Sequence, residues 1–353
     1  MSEAAQRTDV VAATPGGPPG NGLGDAAKRY GTLFLQQREA SVLLIAVVVF
    51  LYFLFSTSSF GTYGSFVNIA QYMAPYTIIA IGEVLLMVCG EIDLSVGYVW
   101  TLSPFVMRGF IDSGVPELLA IIITVLLLSL IGLANGVITT YFGVPSLITT
   151  LGSGYVIFGI TLTVSSAQQV NLPEGNHGVG TVFGAGTWSE FIWATVLVVI
   201  FHIILTRTRW GLYTVSVGGN LLGARESGIK VNTIKIGNFM MCSGLGALAG
   251  ILEAFKNDII DPSAGQLAVV LVALAGAVIG GTAMLGGSGT MIGAWLGVLV
   301  LGILQDGFNL RGISSNEFQI ILGAAIILFM IANTYLTRLR ASGRISARGT
   351  GGA

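Results

Sequence analysis

The stretch GEIDLSVG, residues 90–97, sets Glu91 and Asp93 close together between apolar runs that no soluble core would need. The chain around it is 53% hydrophobic and only 9% charged over 353 residues, where an ordinary soluble domain carries about 25% charge. That balance marks an integral membrane protein and excludes a loop-rich soluble chain. Its 50 glycines, about twice the usual share, suit helices that pack backbone to backbone in a bilayer. A net charge of -1 says little about partners, because the distribution of charge carries the information. Cys89 and Cys242 lie in apolar stretches and read as small core residues, not as a disulfide or a metal pair.

About 20 apolar residues cross the hydrocarbon as a helix. Ten candidate spans start near residues 41, 67, 92, 117, 146, 189, 233, 263, 287 and 317, and the third, eighth and ninth are Gly-rich or polar enough to be broken or short. The expected fold is therefore all-α and integral to the membrane, with about ten transmembrane helices and some broken or re-entrant segments. Residues 1–40 form a polar tail rich in Pro and Gly, 41–337 the membrane domain and 338–353 a second tail. The first apolar run starts too far from the N-terminus, and is too long, for a cleavable signal.

Lys and Arg accumulate on the cytoplasmic side of membrane proteins. With the N-terminus inside and ten crossings, the first tail, the loop after the sixth span and the last tail hold Arg7, Lys28, Arg29, Arg38, Arg207, Arg209, Arg225, Lys230, Lys235, Arg338, Arg340, Arg344 and Arg348. Only Arg108, Lys256 and Arg311 fall outside, whereas Asp112, Glu117, Glu174, Glu190, Asp258, Asp261, Asp306 and Glu317 all do. Both termini are thus expected in the cytoplasm, with Trp188 and Trp210 at opposite interfaces of the sixth span. Two long loops stand out. The outer one, 166–188, holds no Lys or Arg, and the inner one, 207–234, is amphipathic; long loops of that kind in a compact bundle usually have a role.

The sequence contains no GxxxxGK[ST] phosphate loop and no GK dipeptide, so ATP hydrolysis by that route is not expected of this chain. His177 and His202 stand far apart, which argues against a metal site or histidine catalysis. GLGALAG, 244–250, lies inside an apolar span and reads as helix packing. No cofactor and no nucleic acid are expected to bind.

GEIDLSVG forms the turn between the second and third spans, where Gly90 and Gly97 allow a tight non-helical backbone. Such backbone persists at membrane depth only when buried or lining a water-filled cavity. Asp93 is expected to cap the third span and to belong to a constriction of the pathway. The turn logic recurs at FGVPSLITTLG, 142–152, where Pro145 starts the fifth span and Ser146, Thr149, Thr150 and Ser153 fall near one face. Those hydroxyls either line a polar route or bond their own helix and its neighbours. Glu83 lies well inside the second span, where an ionised carboxylate costs at least ~2.5 kcal/mol. It is read as facing a cavity, with a purely structural role as the alternative.

GEIDLSVG, GVPSLITTLG, GGNLLGARESGIKVNTIKI and GGTAMLGGSGTMIGAWLGVLVLGILQDGFNLRGISS occur in an order and spacing that resembles the ribose-type sugar permeases of bacterial ABC importers, over about residues 60–335. The resemblance implies a fold similar to the vitamin B12-importer class and a second permease copy, identical or related. It also implies an ATPase pair carrying ATP and Mg on the inside and a substrate-binding protein outside. It places Asp93, Leu94 and Ser95 at one cytoplasmic gate and Val144, Pro145 and Ser146 at another. The inner loop with Gly218, Gly219, Asn220, Arg225, Ser227 and Gly228 corresponds to the coupling helix that sits on the ATPase. The sequence departs from the family pattern at Glu83, at Glu91, at Val272 and at Leu221, where an apolar residue, Gly, Asp and Glu respectively are usual. The implied function is import of a monosaccharide or similar small polyol across a bacterial inner membrane. An ion-coupled secondary transporter using Glu83 is the second reading, and a membrane enzyme has the least support.

Overall fold

A computed structural model describes residues 38–172, 177–314, 316–325, 327, 328 and 331. Nearly all of the first expected tail and the whole of the second, together with Glu174 and the side chain of His177, lie outside the described residues. The helices are α1 Arg38–Ser56, α2 Tyr63–Val88, α3 Val96–Asp112, α4 Glu117–Tyr141, α5 Ser146–Ser165, a short α6 His177–Gly180, α7 Ser189–Arg207, α8 Arg209–Gly219, α9 Leu221–Glu226, α10 Val231–Asn257, α11 Gln266–Ile279 and α12 Met291–Leu310. A further helical stretch covers 316–325. Two-residue strands, β1 Val170–Asn171 and β2 Ile259–Ile260, pair antiparallel, a small addition to the expected all-α fold.

The first nine expected segments are helical and the tenth is helical over its described residues 316–325, and seven of the described helices are long and apolar enough to cross a membrane. The third and eighth are the short ones, α3 with 17 residues and α11 with 14, about 25 and 21 Å of rise against a hydrocarbon thickness of about 30 Å. The ninth departs from expectation. α12 is a continuous 20-residue helix, because the glycines of GGTAMLGGSG (280–289) form the turn before it and leave the helix intact.

α2 and α10 occupy the centre: 83% and 78% of their most apolar stretches are buried, against 22–28% for α1, α4, α5 and α7. Those four present Leu, Ile, Val and Phe side chains outward, the arrangement expected where the solvent is lipid. Glycine permits the close approaches. A Cβ on Gly132 would lie 2.2 Å from the Phe239 carbonyl, and one on Gly250 would lie 2.0 Å from that of Trp100.

The two short helices meet head to head. A Cβ on Gly97 would lie 2.0 Å from the Gln266 carbonyl, and Thr101 Oγ1 donates to Ala264 O at 2.7 Å. Gly246 of α10 packs on Val96 and lies about 22 Å of helical rise from Val231, so α3 starts deep within the bundle. From that level α3 runs toward the end where α10 finishes, and α11 runs back toward α8. Gly97, expected in a non-helical turn, is helical, and its lack of a side chain serves this crossing. The three cations on the outer side of the charge pattern are each held locally: Arg108 by Asp112 at 3.3 Å, Lys256 by Glu253 at 2.6 Å and Glu190 at 3.3 Å, and Arg311 by Tyr52 Oη at 3.0 Å.

Candidate functional site: a buried turn joined to a surface helix pair

α2 ends at Val88, and Gly90, with φ +84°, reverses the chain. The backbone from Asp93 to Ser95 is buried and irregular, and side chains take up its N–H groups. Asp93 N donates to Glu83 Oε2 at 3.5 Å, Leu94 N to Thr150 Oγ1 at 3.0 Å, and Ser95 N to Asp93 Oδ1 at 2.8 Å. Ser95 Oγ also donates to Asp93 Oδ1 at 2.5 Å and accepts from Asn135 Nδ2 at 2.8 Å. The turn is therefore fastened to α2, α4 and α5. Its satisfied N–H groups are what let non-helical backbone persist there.

Asp93 does not occupy the cap position of α3. Ser95 does, without a side-chain cap bond, and Asp93 closes a local turn two residues earlier. Glu83 is fully buried, with Cys242 Sγ donating to Oε1 at 3.8 Å and Asp93 N at the other oxygen. It closes the turn from beneath. Glu91 forms an ion pair with Lys235 at the start of α10. Lys235 is a partner that sequence spacing alone does not supply, 144 positions away.

The second turn uses Gly143, with φ +71°, and Pro145 as the residue preceding α5. Val144 and Ser146 are half-buried and Pro145 is exposed. Thr150 Oγ1 donates to Ser146 O at 2.8 Å, and Ser153 Oγ donates to Thr150 O at 3.2 Å. Thr149 is buried beside them. Thr150 thus joins the two turns, accepting from one while bonded back to the start of α5.

The amphipathic loop 207–234 folds into α8 and α9. Thr208 Oγ1 accepts from Gly211 N at 3.3 Å, and Asn220 Oδ1 accepts from Gly223 N at 2.9 Å, so each helix has a side-chain N-cap. Gly228, with φ +80°, follows α9. Arg225 and Ser227 are exposed, as are Leu221 and Leu222. On the inward side Trp210 Nε1 donates to Asn238 Oδ1 at 2.8 Å, fastening α8 to α10. A Cβ on Gly218 would lie 1.8 Å from Val88 O and 2.8 Å from Gly287 N, while Gly287 N donates to Val88 O at 2.8 Å. The helix pair rests on the last residue of α2, just before the turn that begins at Gly90. Val88 and Gly287, like Lys235 and Asn135, carry no sequence signal that singles them out from neighbours of the same type.

Residues 65–330 match the family model described as branched-chain amino acid transport system / permease component. The chain belongs to this family. It is 38% identical over 307 residues to the xylose/arabinose import permease protein XylH of Sulfolobus acidocaldarius, covering 85% of this chain and 86% of that one. It is 32% identical over 314 residues to the ribose import permease protein RbsC of Escherichia coli K12, covering 87% and 96%. The D-allose transport system permease protein AlsC of the same organism is 29% identical over 303 residues, covering 85% and 89%. No solved structure matches. The chain is a multi-pass transport permease subunit and not an enzyme.

Proposed function

We propose that this chain is the translocating subunit of an ATP-driven, binding-protein-dependent importer of a monosaccharide or similar small polyol. It resides in the bacterial cytoplasmic membrane with both termini inside. The observation that carries the reading is the backbone contact of Gly218 with Val88. A force applied to α8 and α9 from the cytoplasm reaches Val88 at the end of α2, runs through the short segment 89–92 to the turn of Asp93, Leu94 and Ser95, and passes to α5 through Thr150. Arg225 and Ser227, with Leu221 and Leu222, form the surface an ATPase would grip. ATP and Mg are held on that partner, and this chain needs no cofactor.

The outward face of α5, with Leu147, Ile148, Leu151, Tyr155 and Val156 exposed, is where a second permease copy, identical or related, completes the pathway. A substrate-binding protein delivers solute at the opposite end from α8 and α9. The names of the relatives, with xylose, arabinose, ribose and allose as cargo, support a sugar. The test is co-purification from native membranes in mild detergent, with mass spectrometry and an ATPase assay of the eluate. A P-loop ATPase in stoichiometric amount is the expected result. Purification of the chain alone, with transport in vesicles under an ion gradient and no ATP, overturns the proposal.

A further inference from the structure

Two cavities lie side by side in the half of the bundle away from α8 and α9. One, of about 270 Å³, is lined by Thr101, Gln169, Asn257 and Asp261, and the other, of about 210 Å³, by Gln71, Tyr72, Tyr76 and Lys256; Trp100 and Glu253 line both. They open where α3 and α11 meet head to head, beside the N-terminus of the 14-residue α11. Trp100, on the first turns of α3, is 9% exposed; its indole Nε1 is closed off from both spaces, so its aromatic ring forms the wall.

The lining selects a ligand class. Apolar groups such as Pro104, Ile260 and Val269 share the lining with Glu253, Asn257, Asp261 and Gln169, so a wholly apolar molecule would leave those carboxylates and amides unpaired. The polar groups are held in place: Lys256 is shared by Glu253 and Glu190, Asn257 Nδ2 donates to Glu253 Oε1 at 2.8 Å, and Asp261 accepts from Gln169 Nε2 at 2.7 Å and Ser263 N at 2.8 Å. What remains is a set of aromatic surfaces beside carboxylate and amide groups with spare lone pairs and protons. A neutral molecule with C–H faces and many hydroxyls matches both.

We propose that this chamber, walled by Trp100 and Glu253, is a binding site within the single protomer for a small polyhydroxylated solute. The inference rests on the reading of the chain as a sugar importer and adds an intramolecular site to the route between copies. The test uses the full-length permease in lipid nanodiscs without a binding protein, with D-xylose and D-ribose as probes and ligand-observed NMR as the readout. Saturable binding of at least one sugar is expected, weakened about tenfold or more in Trp100→Ala, which removes the aromatic wall, and in Glu253→Gln. Asn257→Ala serves as the second variant if either of these fails to fold. Absence of saturable binding by the wild type, or equal binding by the folded variants, overturns the inference. Uptake by the complete transporter separates the two levels. ATP-dependent sugar import with no chamber binding removes only this site, whereas a complete complex that imports no sugar and binds none removes the underlying reading as well.

Discussion

Gly218→Ala tests the link between the helix pair and the gate turn. The added methyl group would stand 1.8 Å from Val88 O, and real Cβ contacts are not shorter than 3.0 Å. The gap must therefore widen by more than an ångström between two backbones, with no flexible side chain to absorb the change. Overpacking of this kind costs about 1–3 kcal/mol, and displacing Gly287 N from Val88 O forfeits about 0.5–1.5 kcal/mol more. Replacing glycine by alanine in a helix returns up to about 1 kcal/mol. Gly219 cancels that last contribution, since its own Cβ would meet only Gly287 Cα, at 3.9 Å. Gly218→Ala should then be less stable than Gly219→Ala by about 2–4 kcal/mol, a melting difference of roughly 5 °C or more. Fluorescence-detected size exclusion after heating reads the first quantity, and ATP hydrolysis by the assembled complex reads the coupling. Equal melting of the two alanine variants would refute the close backbone contact and with it the proposed route of force.

Thr150→Val keeps the shape of the side chain but leaves Leu94 N–H buried and unpaired, a loss of about 1–3 kcal/mol; Thr150→Ser should restore most of the stability, as thermal unfolding of the three proteins will show. Removing one member of the Glu91–Lys235 pair strands a partly buried charge, so Glu91→Gln and Lys235→Gln should each destabilise by about 1–3 kcal/mol, and the double variant by less than their sum. Additive losses in that cycle would mean the pair contributes nothing. Arg225→Glu reverses an exposed charge on α9 and should abolish transport and ATPase stimulation with membrane insertion unchanged; normal uptake would take that surface out of the coupling role.

Composition alone decides for a membrane helix bundle, because every apolar run must satisfy its own backbone in lipid. The short third and eighth segments are legible for the same reason: residues near Gly90 and Gly265 cannot sustain a helix across the full thickness. Local spacing misses what long-range packing decides. Nothing near Glu91 names Lys235, and nothing near Trp100 places Glu253 against it, since each partner arrives on α10 from far along the chain. The glycines of 280–289 mislead in the opposite direction. Their density suggests a broken ninth span, but they sit together in the turn, and α12 that follows is whole. Asp93 shows a third limit. An acidic residue just before a helix looks like its cap, yet with Leu94 and Ser95 between them it closes a turn instead.

The burial of Cys89 and Cys242, 2% and 0% exposed, has a practical consequence. They are the chain's two cysteines, and neither thiol is within reach of a bulky maleimide while the bundle is folded. A cysteine introduced at an exposed position, such as Leu222 on α9 or Tyr155 on α5, therefore carries the whole labelling signal. Spectroscopic distance measurements between the gate and the helix pair can begin from the native sequence, with the unlabelled parent protein as its own blank.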